Sequence, residues 1–354
     1  MTNTTTVGVD LAKHSFSICQ MNGTGHVLQR RDLKRDQLAQ WLVQLPVGTI
    51  VAMETCSGAH YWARLCLEYG LRPRLIAAHL VKPFRKSRAI KNDRNDAEAI
   101  ATAAQQGHMR FVPMKTVDQQ ARLSWHRARE GYKADKTAMS NRMRGLLAEF
   151  GVVMAQGDKA LKTVLADLAH HDLPEPFKVL LQSMATQWRT LDDALTACTQ
   201  QIEAHAKPDV RCQRIGEIIG VGALTADAAV ATIGSAREFK NGRHMAAWLG
   251  LVPRQHTTGG HIKLGRITRH GDTYLRTLLV QGARSSLLQA QRVKDEQATP
   301  EQQWIQSLAC RMPFGKVIVA IANKHARQIW AVLAHDVDYD PYAGPQARML
   351  AQAA

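Results

Sequence analysis

The sequence predicts an α/β domain followed by an all-α remainder, and three observations carry that prediction. Over the first 115 or so residues, short apolar runs alternate with helix-like stretches, the pattern of strands and helices that share one sheet. Beyond them the strand pattern gives way to long amphipathic stretches, one of which repeats apolar residues at 4-3 spacing for nearly four heptads. Past residue 208, helical runs are separated by Gly-rich turns. The division expected is therefore 1–115 for the α/β domain, 116–207 for a helical coiled-coil region, 208–335 for a mainly helical C-terminal domain and 336–354 for a polar tail.

Residues 7–10, 16–21 and 26–29 read as successive strands, with Asn22-Gly23 and Gly25 supplying the turns. A helix over 36–45, a strand over 50–53, a helix over 60–69, a strand over 73–77 and a helix over 93–106 follow. In the middle region Phe177, Leu181, Met184, Trp188, Leu191, Leu195, Cys198 and Ile202 form a heptad seam that needs a partner. That partner is either the earlier helix bearing Met139, Met143, Leu146 and Phe150 or the same helix of another subunit, and Leu173-Pro174-Glu175-Pro176 breaks the two runs. Gly220-Val221-Gly222, between two helical runs, resembles a helix-hairpin-helix, in which glycines let backbone amides approach a phosphate; a plain structural turn is the competing reading. From Trp248 to Asp272 glycine, hydroxyl and basic residues alternate in what is expected to be a loop, before the chain turns helical again over 274–288.

Composition narrows the function. Lys and Arg number 46 against 30 Asp and Glu, a formal net charge of +16 that favours a polyanionic partner through counterion release. The excess is local. Between Arg72 and Arg94 there are eight Lys or Arg, Arg85, Lys86 and Arg88 among them, against one acid, Asp93. Between Arg254 and Arg292 there are seven against Asp272 alone, with His256, His261 and His270 beside them. The six cysteines (Cys19, Cys56, Cys66, Cys198, Cys212 and Cys310) show no CxxC spacing, which argues against a zinc site or a disulfide framework. With no apolar leader and no membrane-length apolar run, a soluble cytoplasmic bacterial protein, on the nucleoid when bound to DNA, is expected.

Four acids stand out against this background: Asp10 in Val-Gly-Val-Asp, Glu54 in Val-Ala-Met-Glu, and Asp93 with Asp96 in Asn-Asp-Arg-Asn-Asp. The first two close apolar runs and so sit at strand ends. The last two open a helix, three residues apart and hence on one face, where the helix dipole also favours them. Hard oxygen ligands in this pattern suit Mg²⁺, and two such ions about 3.5–4 Å apart can clamp the attacking and leaving oxygens of a phosphodiester. Alone, each would read as a cap or turn residue. Together, in a βαβ-rich block, they match the arrangement of RNase H-like and RuvC-like nuclease domains.

These residues resemble the DEDD transposases of insertion-sequence family 110 over nearly the whole chain. Gly8-Val9-Asp10 with Ala12-Lys13, Glu54 before Ser57-Gly58, and Lys91-Asn92-Asp93 with Asp96-Ala97 are similar to the family's RuvC-like half. Gly220-Val221-Gly222, Gly250-Leu251-Val252-Pro253, Gly259-Gly260, Leu264-Gly265-Arg266-Ile267 and Gly271-Asp272 with Tyr274-Leu275-Arg276 are similar to its C-terminal half. The resemblance implies a recombinase that moves an insertion element, with Asp10, Glu54, Asp93 and Asp96 as Mg²⁺ ligands and donor and target DNA as substrates. It also implies a structured noncoding guide RNA; the heptad seam points to a homo-oligomer, dimer or tetramer, and the lack of a membrane-length apolar run to no membrane partner. The family's nucleophile is a serine just before the Gly-Gly or one residue earlier, forming a covalent protein–DNA intermediate. Here both places are threonine, Thr258 and Thr257. Thr258, which adjoins the glycines, is the first choice; Ser285 and Ser286 sit in a helical run and are poor candidates. Arg254, His256, Lys263, Arg266 and Arg269 are the candidates to neutralise the phosphate, with Arg85, Lys86 and Arg88 as further nucleic-acid contacts.

Three rival classes remain open at this point. A Holliday-junction-resolvase-like nuclease would need only the four acids and water. A nonenzymatic nucleic-acid binder would explain the charge but not the acids. An ATPase of the sugar-kinase and actin superfamily shares the Val-Gly-Val-Asp opening but lacks further phosphate-loop motifs.

Overall fold

A computed structural model describes residues 5–85 and 93–342. The chain divides into two compact units, Met1–Val117 and Asp118–Ala354.

The first unit is built on one mixed sheet. Its elements run β1 (Thr6–Asp10), β2 (Ser15–Met21), β3 (Val27–Lys34), α1 (Arg35–Leu42), β4 (Ile50–Glu54), α2 (Ala59–Glu68), β5 (Arg72–Ile76), α3 (Ala78–Val81), α4 (Asp93–Ala104) and β6 (Phe111–Val112). The strand order is β3-β2-β1-β4-β5-β6. β1, β2 and β3 form an antiparallel meander, β4 and β5 run parallel to β1, and β6 closes the edge antiparallel to β5. An antiparallel meander continued by parallel strands on the other side of β1 is the order expected of an RNase H-like domain.

Both faces of the sheet are covered, which is why β1 and β4 read as continuous apolar runs. Val7, Val9, Phe16, Ile18, Val51 and Met53 point to one face, where Leu38 and Leu42 of α1 and Trp62, Ala63 and Cys66 of α2 close over them. On the other face Cys19 and Met21 meet Ala97 and Ala101 of α4, while Ala52 and Ile76 meet its Ala99, Ile100 and Ala103. The run of alanines lets α4 lie very close to the strands. β3 is longer than the expected 26–29 and continues to Lys34, because its outer residues are polar and charged and escape an apolar search.

The second unit is helical apart from one hairpin. It comprises α5 (Val117–Ala148), α6 (Asp158–Ala166), α7 (Glu175–Ala206), α8 (Val210–Gly216), α9 (Ala223–Ile233), α10 (Gly242–Trp248), β7 (Pro253–Thr258), β8 (His261–Ile267), α11 (Thr273–Ala290), α12 (Pro300–Arg311) and α13 (Phe314–His335). Leu181, Met184 and Trp188 of the α7 seam are buried against Met143 and Leu147 of α5 and Leu161 and Leu165 of α6, and the Trp188 indole donates to Ser140 Oγ at 2.7 Å. This half of the seam is thus covered within the chain. α6 was not anticipated; it adds a third helix where the sequence suggested two, and Gly151 and Gly157, both at positive φ, turn the chain into it. A second core gathers α8 to α13 around Ile215, Leu249, Leu279, Ile305, Ile321 and Ile329. Among the described residues no helix is long and apolar enough to cross a membrane.

The stretch expected as a loop between Trp248 and Asp272 contains an antiparallel hairpin, β7 with β8. Gly259 and Gly260 both take positive φ, +57° and +81°, which a two-residue hairpin turn requires, and the β-branched Thr257, Thr258 and Ile262 on either side favour the extended strands. Gly220-Val221-Gly222 joins α8 to α9. Its Gly220 is engaged in packing: a Cβ there would stand 2.4 Å from the Gly282 carbonyl oxygen of α11.

Candidate active site

Two carboxylates leave the sheet side by side. Val9 of β1 is paired with Met53 of β4 in parallel register, so Asp10 and Glu54, one residue on, end adjacent strands at the same edge. The other two come from the first turn of α4, whose packing on β1 places that turn over the strand ends. One ligand oxygen from each of Asp10, Asp93 and Asp96 lies within 4.8 Å of the others.

Glu54 stands outside that group of three and is linked to it through Arg85. The Arg85 guanidinium places Nε 2.9 Å from Asp96 Oδ1 and Nη2 3.6 Å from Glu54 Oε2. Burial, then the nearby charges of Asp96, Asp93 and Glu54, push the Asp10 carboxyl up to about 6, against an opposing pull from Arg85. Among the described residues, Arg85 is the cation set between these acids. Three converging carboxylates are a donor set that fits a hard divalent cation.

Two ion pairs fix α4 to the meander, and neither is legible in the sequence. Arg94 reaches Asp32 of β3 through Nε at 2.9 Å and Nη2 at 2.6 Å, and Ser17 donates to the same carboxylate. Arg30 of β3 holds Glu98 at 2.6 Å. Arg94 belongs to the run that reads as a basic surface, yet both arginines orient the helix that carries Asp93 and Asp96. Lys86 and Arg88 lie outside the described residues.

In the second unit the hairpin presents its two threonines on opposite faces. Pairing sets Thr258 opposite His261 and His256 opposite Lys263, and Arg254 lies beside Gly265, so one face carries Thr258 with His256, His261, Lys263 and Arg254. Thr257 shares the other face with Gln255, Ile262 and Leu264, and its hydroxyl accepts from Gln255 Nε2 at 2.9 Å. All of β7 is exposed. At the hairpin's base Arg276 donates from Nη1 to the carbonyls of Leu249 and His270, 2.9 Å each, so this motif arginine positions the hairpin from within the fold. Arg269 follows the hairpin in the left-handed region at φ +59°, a strained conformation for a residue with a side chain. Ser286 is buried and donates to the Ile219 carbonyl at 2.7 Å, which leaves it no catalytic access.

The strand order, with acids at the ends of adjacent parallel strands and on the helix that crosses them, defines an RNase H-like nucleic-acid-processing enzyme. Two family models match the chain. One, for DEDD transposases of IS110 type, covers residues 7–152; the other, for the transposase IS116/IS110/IS902 family, covers residues 212–298. The Pseudomonas aeruginosa protein named "Probable family 20 transposase" is 43% identical, over 96% of this chain and 99% of its own. The transposase for insertion sequence element IS1111A of Coxiella burnetii is 39% identical over 94% of this chain and 90% of its own, and that for IS1328 of Yersinia enterocolitica 36% over 94% and 97%. This chain belongs to the IS116/IS110/IS902 family of transposases, enzymes that cleave and rejoin DNA. Among solved structures, T. thermophilus RuvC in complex with a Holliday junction substrate matches at 13% identity, 31% of this chain, 99% of that chain and a TM-score of 0.23; the fold assignment rests on strand order and not on that match. The relatives do not favour the rival reading as a junction-resolving nuclease.

Proposed function

We propose that this transposase cuts DNA at a Mg²⁺ site formed by Asp10, Glu54, Asp93 and Asp96, using the Thr258 hydroxyl as nucleophile, with Thr257 as the second choice. The observation that carries the metal half of this reading is the convergence of Asp10, Asp93 and Asp96 ligand atoms within 4.8 Å. A bound divalent cation would polarise the phosphate and lower the cost of charge on the attacking and leaving oxygens. The protein's own part is to hold the carboxylates in register through β1, β4 and α4 and to hold α4 through Arg94–Asp32 and Arg30–Glu98. In the transfer step Thr258 Oγ1 forms a bond to phosphorus as the bond to the leaving DNA oxygen breaks; the hydroxyl proton goes to solvent or a base, and the leaving oxygen gains one. Thr258 is preferred because its face of the hairpin carries Arg254, His256, His261 and Lys263, which can neutralise the phosphate. Arg266 and Arg269 are assigned to the backbone of the same DNA.

The remaining assignments follow the family resemblance and the net charge of +16. Residues 1–115 are taken as the catalytic domain, 116–207 as the helical coiled-coil region and 208–335 as the domain that presents the nucleophile. Gly222, which opens α9 and whose Cβ position faces open space, is the glycine of the helix-hairpin-helix-like turn assigned to a phosphate. A structured RNA encoded by the element guides a homo-oligomer to donor and target.

Two experiments test this. Asp10→Asn and Asp96→Asn should each abolish strand cleavage while the protein remains folded and DNA-bound; undiminished cleavage by either would remove the metal-site reading. Sequencing of nucleic acid that copurifies from cells carrying the native flanking DNA should return one discrete structured RNA, whereas a heterogeneous mixture would count against RNA guidance.

A further inference from the structure

We propose that Arg85 is a resident counter-ion of the carboxylate site, one that holds Glu54 and Asp96 together until a divalent cation displaces it. The inference rests on the reading of the four acids as cation ligands and goes beyond it, to the state of the site before a cation arrives.

Arg85 bridges an acid inside the three-carboxylate group, Asp96, and the acid left outside it, Glu54. It occupies coordination that a cation would use. A divalent ion bound at about 2.0–2.1 Å to an Asp96 oxygen would stand close to the guanidinium, and two positive charges at that range repel by far more than thermal energy. Both cannot keep full contact with the same carboxylate.

The arginine is also the partner best placed to leave. Its side chain is 37% exposed, against 21% for Glu54 and 12% for Asp96. The exposed guanidinium and the long 3.6 Å contact to Glu54 leave it open to displacement by a doubly charged competitor. The guanidinium nonetheless has a task of its own. Four acids gathered at one sheet edge repel one another, and one guanidinium spanning Glu54 and Asp96 offsets part of that repulsion. Displaced, the same guanidinium is released toward a phosphate oxygen, the contact that the basic run around it suggests. The site would then exchange its arginine for a cation on one side and gain a DNA contact on the other.

Direct cation binding to the full-length protein without DNA separates this from a fixed structural salt bridge. Mn²⁺ titration by calorimetry should show that Arg85→Gln tightens binding about tenfold or more, because the competing charge is gone. Arg85→Lys, which keeps the charge, should stay within about threefold of wild type. Unchanged or weaker Mn²⁺ binding by Arg85→Gln would overturn the proposal. If Mn²⁺ bound neither protein, or bound both regardless of Asp10→Asn, the cation-site reading itself would fall and this inference with it, a pattern distinct from an Arg85 effect of the wrong sign. A measurement on wild-type protein guards against a variant that does not fold. With arginine side chains labelled with ¹⁵N, the Arg85 Nε–H resonance should move toward the free-guanidinium position on addition of Mg²⁺. A resonance that does not respond while the acids bind the ion would contradict displacement.

Discussion

Gly8 lies directly beneath the backbone of Ala97: a Cβ on Gly8 would fall 2.1 Å from the Ala97 carbonyl oxygen and 2.6 Å from the Ala101 amide nitrogen. Gly8 and Asp10 are two residues apart on β1 and so point to the same face of the sheet. The missing side chain at residue 8 is what lets α4 settle onto β1 and carry Asp93 and Asp96 to Asp10. Gly8→Ala cannot be absorbed by a side-chain rotation, since the obstacles are backbone atoms. It should lower stability by on the order of 3 kcal/mol, seen as a drop in the melting temperature of the first unit, and weaken Mn²⁺ binding even though no carboxylate is changed. A variant with wild-type melting and wild-type Mn²⁺ affinity would show that α4 does not depend on that contact.

Opposite faces of the hairpin should behave differently toward DNA. His256→Ala and Lys263→Ala remove charge or hydrogen-bonding capacity from the Thr258 face, and Lys263→Ala should reduce the slope of log affinity against log salt by about 1. Ile262→Ser and Leu264→Ser, on the Thr257 face, should leave that slope unchanged. The reverse ranking in a salt titration would transfer the nucleophile assignment to Thr257.

A buried charge network ties α5 to α8, α9 and α11. The Arg122 guanidinium bonds both Asp227 and Asp209, and His126 joins the other Asp227 oxygen at 2.9 Å and the Tyr274 hydroxyl at 2.9 Å. Burial would raise the Asp227 carboxyl, but its bonds from His126 and Arg122 prevail and hold it below the usual carboxylate range. Arg122→Leu strands Asp227, which is 0% exposed, and should cost about 3–5 kcal/mol. Adding Asp227→Leu to that variant should recover much of the loss, because no uncompensated charge then remains; a double variant no better than the single one would deny the network its electrostatic role.

His325 makes stability depend on pH. It is 1% exposed, its Nδ1 has no hydrogen-bond partner, and burial holds its pKa down to about 4, with a smaller opposing pull from Glu301 and an added push from Lys324. Between about pH 6.5 and 4 the unfolded chain takes up a proton that the folded one refuses, so stability is full above that window and falls as pH drops through it. The loss should be on the order of 3 kcal/mol by the lower end, and His325→Leu should flatten the denaturation midpoint across the same range. A wild-type midpoint already flat from 6.5 to 4 would mean that His325 charges freely in the folded state.

The legible parts of this structure were those with a local signature. β1 and β4 announce themselves as apolar runs that end in an acid, and the three-residue spacing of Asp93 and Asp96 fixes them on one helix face wherever that helix packs. The β7–β8 hairpin was equally local and was still misread, because the density of glycines between Trp248 and Asp272 outweighed a Gly-Gly pair flanked by β-branched residues. α6 is nine residues long and clearly amphipathic, so what went unread was not its period but the breaks at Gly151 and Gly157 that set it apart from α5. The contacts that complete the acidic site left no trace in the sequence. Arg94 meets Asp32 across 62 residues and Arg30 meets Glu98 across 68, and nothing in a basic run tells a lysine facing solvent from an arginine orienting a helix. The partner of the α7 seam was undecidable for the same reason: periodicity shows that a face is buried, not by what.

The most direct test of the account is to trap the covalent protein–DNA product on a substrate whose cleaved end cannot be religated, and to map the modified peptide by mass spectrometry. The account expects the DNA on Thr258, its loss in Thr258→Ala, and no product at all in Asp10→Asn. Cleavage that proceeds with full yield and no attached peptide, and survives Thr257→Ala combined with Thr258→Ala, would contradict it and leave water as the nucleophile.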